Sequence, residues 1–147
     1  GDYSKFVFLG QGPYYGLACE AMLKMKEMSL SVSEAYHSLE YRHGPKSLVD
    51  DNMLLTCLVS ERARDEEKIL LKEMKTLGAR TLVICEQADP EIESAGDYLV
   101  ELNSDLTDES RLILYMPFLQ LLAYHNAVAK GLDPDNPKHL TQVVTLA

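Results

Sequence analysis

Basic residues are scarce in this chain: 14 Lys and Arg stand against 23 Asp and Glu, giving a net charge of −9 and a pI near 4.8. Nucleic-acid binding needs a basic stripe, and the Lys24/Lys26 and Arg62/Arg64 pairs are too short to make one, so nucleic acid is not expected as a partner. A phosphorylated small molecule is still allowed, because helix N-termini bind phosphate without net positive charge. Long apolar runs are also lacking. None approaches the roughly 20 residues of a membrane span, and no charged n-region with an apolar h-region opens the chain, so neither membrane nor secretion is indicated. Cysteine is sparse. Cys19, Cys57 and Cys85 are widely spaced in apolar settings without C-x-x-C or metal-ligand spacing, which suits buried thiols in a reducing cytoplasm and predicts neither metal nor cofactor. Internal repeats, linkers and low-complexity segments are absent.

What is present fits one domain with a proper core: 147 residues, 46% hydrophobic and 25% charged. The chain opens Gly1-Asp2, without Met, and is in an apolar run by Phe6, so it reads as a piece of a longer protein. Lys5–Leu9 predicts a buried parallel strand ending at a glycine turn, Gly10-Gln11-Gly12-Pro13, with a helix over Tyr14–Met28. Residues 33–39 predict a partly helical stretch with Ser33 as N-cap, and Lys46–Val49 a further helical turn. Strands are predicted at Met53–Val59, Thr81–Cys85 and Tyr98–Leu102. A helix over Arg62–Leu77 should bury Ile69, Leu70, Glu73, Met74 and Leu77, and stop at Gly78. Thr107 or Asp108 should cap a last helix to Lys130, kinked or split at Pro117. Strands alternating with helices imply a parallel α/β sheet covered on both faces.

Candidate chemistry concentrates between Glu20 and Pro45. Glu20, Lys24 and Glu27 fall at i, i+4 and i+7 of the first helix, a carboxylate–ammonium–carboxylate row on one face beside an apolar stripe of Leu17, Ala21, Met25 and Met28. His43, in a His-Gly-Pro turn, is a second acid/base group, and a carboxylate with an imidazole suits proton shuttling on a sugar. Each has a plainer reading, Glu27 as a solvated helix end and His43 as a surface turn. Gly10-x-Gly12-x-x-x-Gly16 opens the helix as a nucleotide turn would, but its third glycine is one place late for the dinucleotide fingerprint and no Lys-Ser/Thr follows. His37, His125 and His139 are assigned to structure or surface.

The run from Phe8 through Gln11-Gly12-Pro13 to Glu20-Ala-Met-Leu-Lys-Met-Lys-Glu27-Met-Ser, then Ser33-Glu34-Ala35-Tyr36 and Arg42-His43-Gly44-Pro45, resembles the sugar isomerase (SIS) domain. Pro117–His125 and Gly131-Leu-Asp-Pro-Asp-Asn-Pro-Lys-His-Leu140 through Val144-Thr145 are similar to the end of that family. The likeness covers nearly the whole chain and is strongest to the second SIS domain of tandem enzymes, such as the isomerase part of glucosamine-6-phosphate synthase. It implies a flavodoxin-like, three-layer αβα sandwich with a five-stranded parallel sheet, acting on a phosphorylated hexose or amino-hexose. The resemblance assigns proton transfer between C1 and C2 to Glu27 and ring opening to His43, often supplied across a subunit interface. Glu20 and Lys24 would line the site, with Gly10 and Gly12 as further substrate-binding candidates.

Two departures bear on the reaction. A synthase carries a Lys in the tail where this chain has Gln142. That favours the deaminase/isomerase branch, with Gln142 itself among the substrate contacts. The Ser/Thr-rich phosphate loop of a first SIS domain is also missing. The chain is therefore expected to be a single SIS domain, residues 1–147, forming the C-terminal half of a tandem protein in the cytoplasm. Its apolar surplus on the helix from Leu114 to Val128 predicts a homodimer or a preceding SIS domain as partner. The competing expectation is a non-catalytic sugar-phosphate-binding regulatory domain.

Overall fold

Residues 3–140 are described by the computed structural model. The apolar run after Ser4 forms β1 (Lys5–Gly10), in which successive side chains leave opposite faces: Phe6 and Phe8 enter one core, Val7 and Leu9 another. The chain continues as α1 (Tyr14–Ser29), β2 (Val32–Tyr36), two short 3-10 turns (Glu40–Arg42 and Pro45–Leu48), β3 (Met53–Leu58), α2 (Arg64–Thr76), β4 (Arg80–Cys85), α3 (Pro90–Ala95), β5 (Tyr98–Glu101) and α4 (Asp108–Ala129). All strand pairs are parallel, in the order β2-β1-β3-β4-β5.

Helices cover both faces, as the buried strands require. On one side, Ala18, Ala21 and Met25 of α1 and Tyr115, Leu119 and Ala123 of α4 pack with Phe6, Phe8, Leu54 and Ile84. On the other, Leu70, Leu71 and Met74 of α2 and Ile92 of α3 pack with Val7, Leu9, Leu55 and Val83, joined by Tyr41 from the connection between β2 and β3. Each large apolar side chain fully withdrawn from water contributes roughly 1.5–3 kcal/mol. This is the three-layer sandwich with five parallel strands. Cys57 and Cys85 are buried and Cys19 is half-buried.

Four local expectations are corrected. The stretch expected to be partly helical is β2, paired along β1 from Lys5↔Val32 to Leu9↔Tyr36. Ser33 caps nothing there; its hydroxyl donates to the Met22 carbonyl at 2.8 Å, tying the strand to α1. In α2 the buried side is Glu67, Leu70, Leu71 and Met74, while Ile69 and Leu77 are exposed. Helix α3, capped by the Asp89 side chain accepting from the Glu91 and Ile92 amides, was not anticipated. Finally, α4 is not split at Pro117 but runs as one helix from Asp108 to Ala129. Among the described residues α4 is long and apolar enough to cross a membrane by length and composition, at mean hydropathy 1.3. Yet Arg111, Tyr115, Leu119, Ala123 and Ala127 on one side of it are buried within the domain, so its remaining apolar residues are an outer face of the sandwich.

Gly10 sits where β1 turns into α1. A Cβ there would lie 2.4 Å from the Tyr14 carbonyl oxygen, a backbone atom that cannot swing aside. Gly12 has φ of 57°, which also favours glycine. Both therefore have a conformational reason to be glycine. Gly10→Ala is expected to destabilise by about 3 kcal/mol, read as a lower urea midpoint at unchanged slope.

Candidate active site

The row predicted on α1 forms as its spacing requires. Lys24 Nζ lies 2.8 Å from Glu27 Oε2 and 3.5 Å from Glu20 Oε1, all three side chains being partly exposed. The hydrogen bond to Glu27 is the main cause holding the Lys24 ammonium above its ordinary pKa, so Lys24 stays charged near neutrality.

Glu27 opens into a cavity of about 260 Å³ whose far wall is the segment after α4, including Gly131, Asp133, Asn136 and Lys138. The end of α1 that carries Glu27 is pinned to α4. Asn126 Nδ2 donates to Ser29 Oγ at 2.9 Å and Ser31 Oγ at 2.8 Å, and Lys130 Nζ donates to Ser31 Oγ at 2.6 Å. Leu30 closes the helix in the left-handed region, φ 50°. Lys138, a cation lining the Glu27 cavity, is not indicated by the sequence. Its only signal was Gly131, which stops α4 and sends the chain back across the end of α1.

His43 stands elsewhere. It ends the first 3-10 turn, is exposed, and lines a separate cavity of about 450 Å³ with Leu39, Arg42, Lys46 and Glu66. That segment packs through Tyr41 into the core on the α2 face, whereas Glu27 belongs to α1 on the opposite face. Within one chain the sheet separates the two groups. Gly10 and Gly12 are distant as well, at the start of α1, about 20 Å from Glu27 along a helix rising 1.5 Å per residue. Gln142 lies outside the described residues.

In a sheet of order 2-1-3-4-5, ligands favour the crevice beyond β1 and β3, where strand order reverses. Here a cavity of about 120 Å³ lies between Gly12, Ser60, Arg62 and Asp108. Three amides of this loop are already taken: Ser60 N–H donates to Glu67 Oε2 at 2.9 Å, Glu61 N–H to Asp108 Oδ2 at 3.0 Å, and Ala63 N–H to Ser60 Oγ at 3.2 Å. Asp108 is held in turn by the buried Arg111, which also donates to Tyr14 Oη, the Leu106 carbonyl and Glu61. Internal carboxylates thus occupy the anion position of this loop.

Comparison with known proteins follows the same lines. A family model described as the SIS domain matches residues 2–129. The glutamine–fructose-6-phosphate aminotransferase (isomerizing) of Methanothermobacter thermautotrophicus is 34% identical over 99% of this chain and 25% of its own length. A glucosamine-6-phosphate deaminase structure from Thermotoga maritima shares 37% identity at TM-score 0.81, covering 99% of this chain and 41% of that one. The tagatose-6-phosphate ketose/aldose isomerase of Escherichia coli shares 27% at TM-score 0.85, covering 97% and 41%. The chain therefore spans about a quarter of the curated relative's length and about two fifths of the two solved ones.

Proposed function

Because the chain belongs to the SIS domain family, we propose that it is one half of a sugar-phosphate isomerase or amino-sugar-phosphate deaminase, with Glu27 as the group that moves the proton. The observation that carries this reading is the Glu27 carboxylate, ion-paired to Lys24 yet open to a cavity walled by the segment after α4. A phosphorylated ketohexose or amino-hexose, once its ring is open, carries an acidic C–H beside a carbonyl or imine. Glu27 takes that proton from one of C1 and C2 and returns it to the other, through an enediol for the hexose or an enolamine for the amino-hexose, whose C2 imine water then hydrolyses to the ketose and ammonia, while Lys24 orients the carboxylate. His43 assists ring opening and, being on the opposite face, serves the Glu27 of a neighbouring chain.

The β3–α2 loop, with the Ser60, Glu61 and Ala63 amides bonded internally, is a poor phosphate cradle, so a partner supplies the phosphate site. That partner is a preceding SIS domain or a second copy of this chain. The three relatives divide between an aminotransferase, a deaminase and an isomerase, and Gln142 in place of a tail Lys favours deamination or isomerisation. A cytoplasmic setting belongs to the same proposal.

The test is to incubate the full-length protein in D₂O with fructose 6-phosphate or glucosamine 6-phosphate. Deuterium at C1 or C2, with aldose–ketose conversion or ammonia release, is the expected result. Tight calorimetric binding without exchange would leave a non-catalytic sugar-phosphate sensor. Robust hexosamine formation from glutamine would overturn the preference for deamination or isomerisation.

A further inference from the structure

Glu67 lies in the first turn of α2, where Asp65 and Glu66 face water, yet it has no solvent exposure itself. Withdrawing a carboxylate from water is costly, and a neutral side chain of similar size would pack there at lower cost. What Glu67 does is join two segments. Its Oε2 accepts the Ser60 N–H at 2.9 Å, at the exit of β3, and its Oε1 accepts the Ser38 hydroxyl at 2.7 Å. Ser38 begins the segment that carries His43. From there the backbone is a succession of tight turns: Tyr41 N–H to His37 O at 3.2 Å, Arg42 N–H to Leu39 O at 3.4 Å, and His43 N–H to Glu40 O at 3.0 Å. Further along α2, Glu73 holds Arg42 Nε at 2.9 Å and Lys46 Nζ at 2.5 Å, one on each side of His43.

We propose that Glu67 is a positioning residue for His43, fixing through Ser38 the segment on which the imidazole is carried. This rests on the reading of His43 as a reacting group. Glu73 fixes the same segment from the solvent side, by ion pairs that salt can screen, whereas the Glu67–Ser38 contact is dry. The groups facing Glu67 are Ser38 from the β2–β3 connection, Cys57 and Ser60 from β3 and its exit, and Asp108 from α4. Burial pushes the Glu67 carboxyl up to about 7, and the Asp108 charge adds to the rise. Above that pH the carboxylate accepts from both Ser38 and Ser60. Below it one oxygen carries a proton and donates to Ser38 instead, so the hydrogen bond anchoring the His43 segment reverses direction.

The test uses the full-length protein with histidine labelled at Cε1, the His43 signal being assigned by its loss in His43→Gln. Two variants are compared with wild type: Glu67→Gln, and Ser38→Ala, which leaves the buried charge in place. Both are expected to move the His43 resonance and its titration midpoint, and to lower kcat on the sugar phosphate roughly tenfold with KM unchanged, a small misplacement being enough for that. A His43 resonance at its wild-type position in both folded variants overturns the proposal, as does a moved resonance with wild-type kcat. If Glu67→Gln fails to fold, Ser38→Ala decides alone. A moved resonance in a protein that turns over no sugar phosphate supports the positioning role and removes the proposed reaction instead.

Discussion

Glu27→Gln should lower turnover of fructose 6-phosphate or glucosamine 6-phosphate by about 10²–10⁴-fold in the full-length protein, the usual contribution of one general acid–base group. The substitution is nearly isosteric. A Gln amide oxygen can still accept from Lys24, now 2.8 Å from Glu27, so the shape of the cavity and the pinning of α1 by Asn126 and Lys130 are unaffected. What disappears is the capacity to take a proton from carbon. Stability should barely change, because a partly exposed ion pair on a helix surface is worth about 0–1 kcal/mol. The check is kcat and KM beside a thermal melt. A folded variant with wild-type turnover would overturn the role of Glu27, whereas a large fall in kcat at constant KM is the signature of a group needed in the transition state.

The legible parts of this protein are those where one physical signal dominates. Lys5–Gly10, Met53–Leu58 and Arg80–Cys85 are near-continuous apolar runs because both faces of the sheet are covered, and they were readable as strands. Strand β2 was not, since Val-Ser-Glu-Ala-Tyr at a sheet edge needs little hydrophobicity and resembles a capped helix start. The phase of α2 was misread for a related reason. Ile69 and Leu77 are apolar but exposed, and Glu67 is acidic but buried. Composition points the wrong way at all three, and only the Ser38 and Ser60 partners explain the burial. Six-residue α3 is too short to show a period. At the site, the Glu20–Lys24–Glu27 row was readable because helical spacing alone creates it. The placement of Lys138 on the wall of the Glu27 cavity, and of His43 on the far side of the sheet, depends on how distant segments cross. No local pattern carries that information.

The separation of Glu27 and His43 leads to the second large effect. If His43 of one chain completes the site around Glu27 of another, Glu27→Gln and His43→Ala will each be nearly inactive alone, yet mixing them will restore activity. The surface for such pairing is present. Ile113 and Leu121 on the outer side of α4 are 70% and 51% exposed. An open groove of about 400 Å³ between Met28, Pro117, Leu121 and Tyr124 adjoins the Glu27 cavity, with Met28 on both. Apolar surface of that extent commonly meets a partner; for His43, which stands on the α2 face, to reach the Glu27 cavity, the neighbour must present its β2–β3 connection there, a contact that a two-fold repeats in the opposite direction. In a random one-to-one mixture of dimers, half are mixed, and each of those holds one site with both groups intact and one with neither. Turnover should therefore return to about a quarter of wild type once subunits have exchanged. The measurement is activity after co-expression of the two full-length variants, with mixed dimers verified by differently tagged chains. Recovery near that level would make His43 a residue supplied in trans. No recovery, with mixed dimers demonstrated, would mean that His43 does not serve a neighbour's Glu27, and the ring-opening role would have to pass to another group.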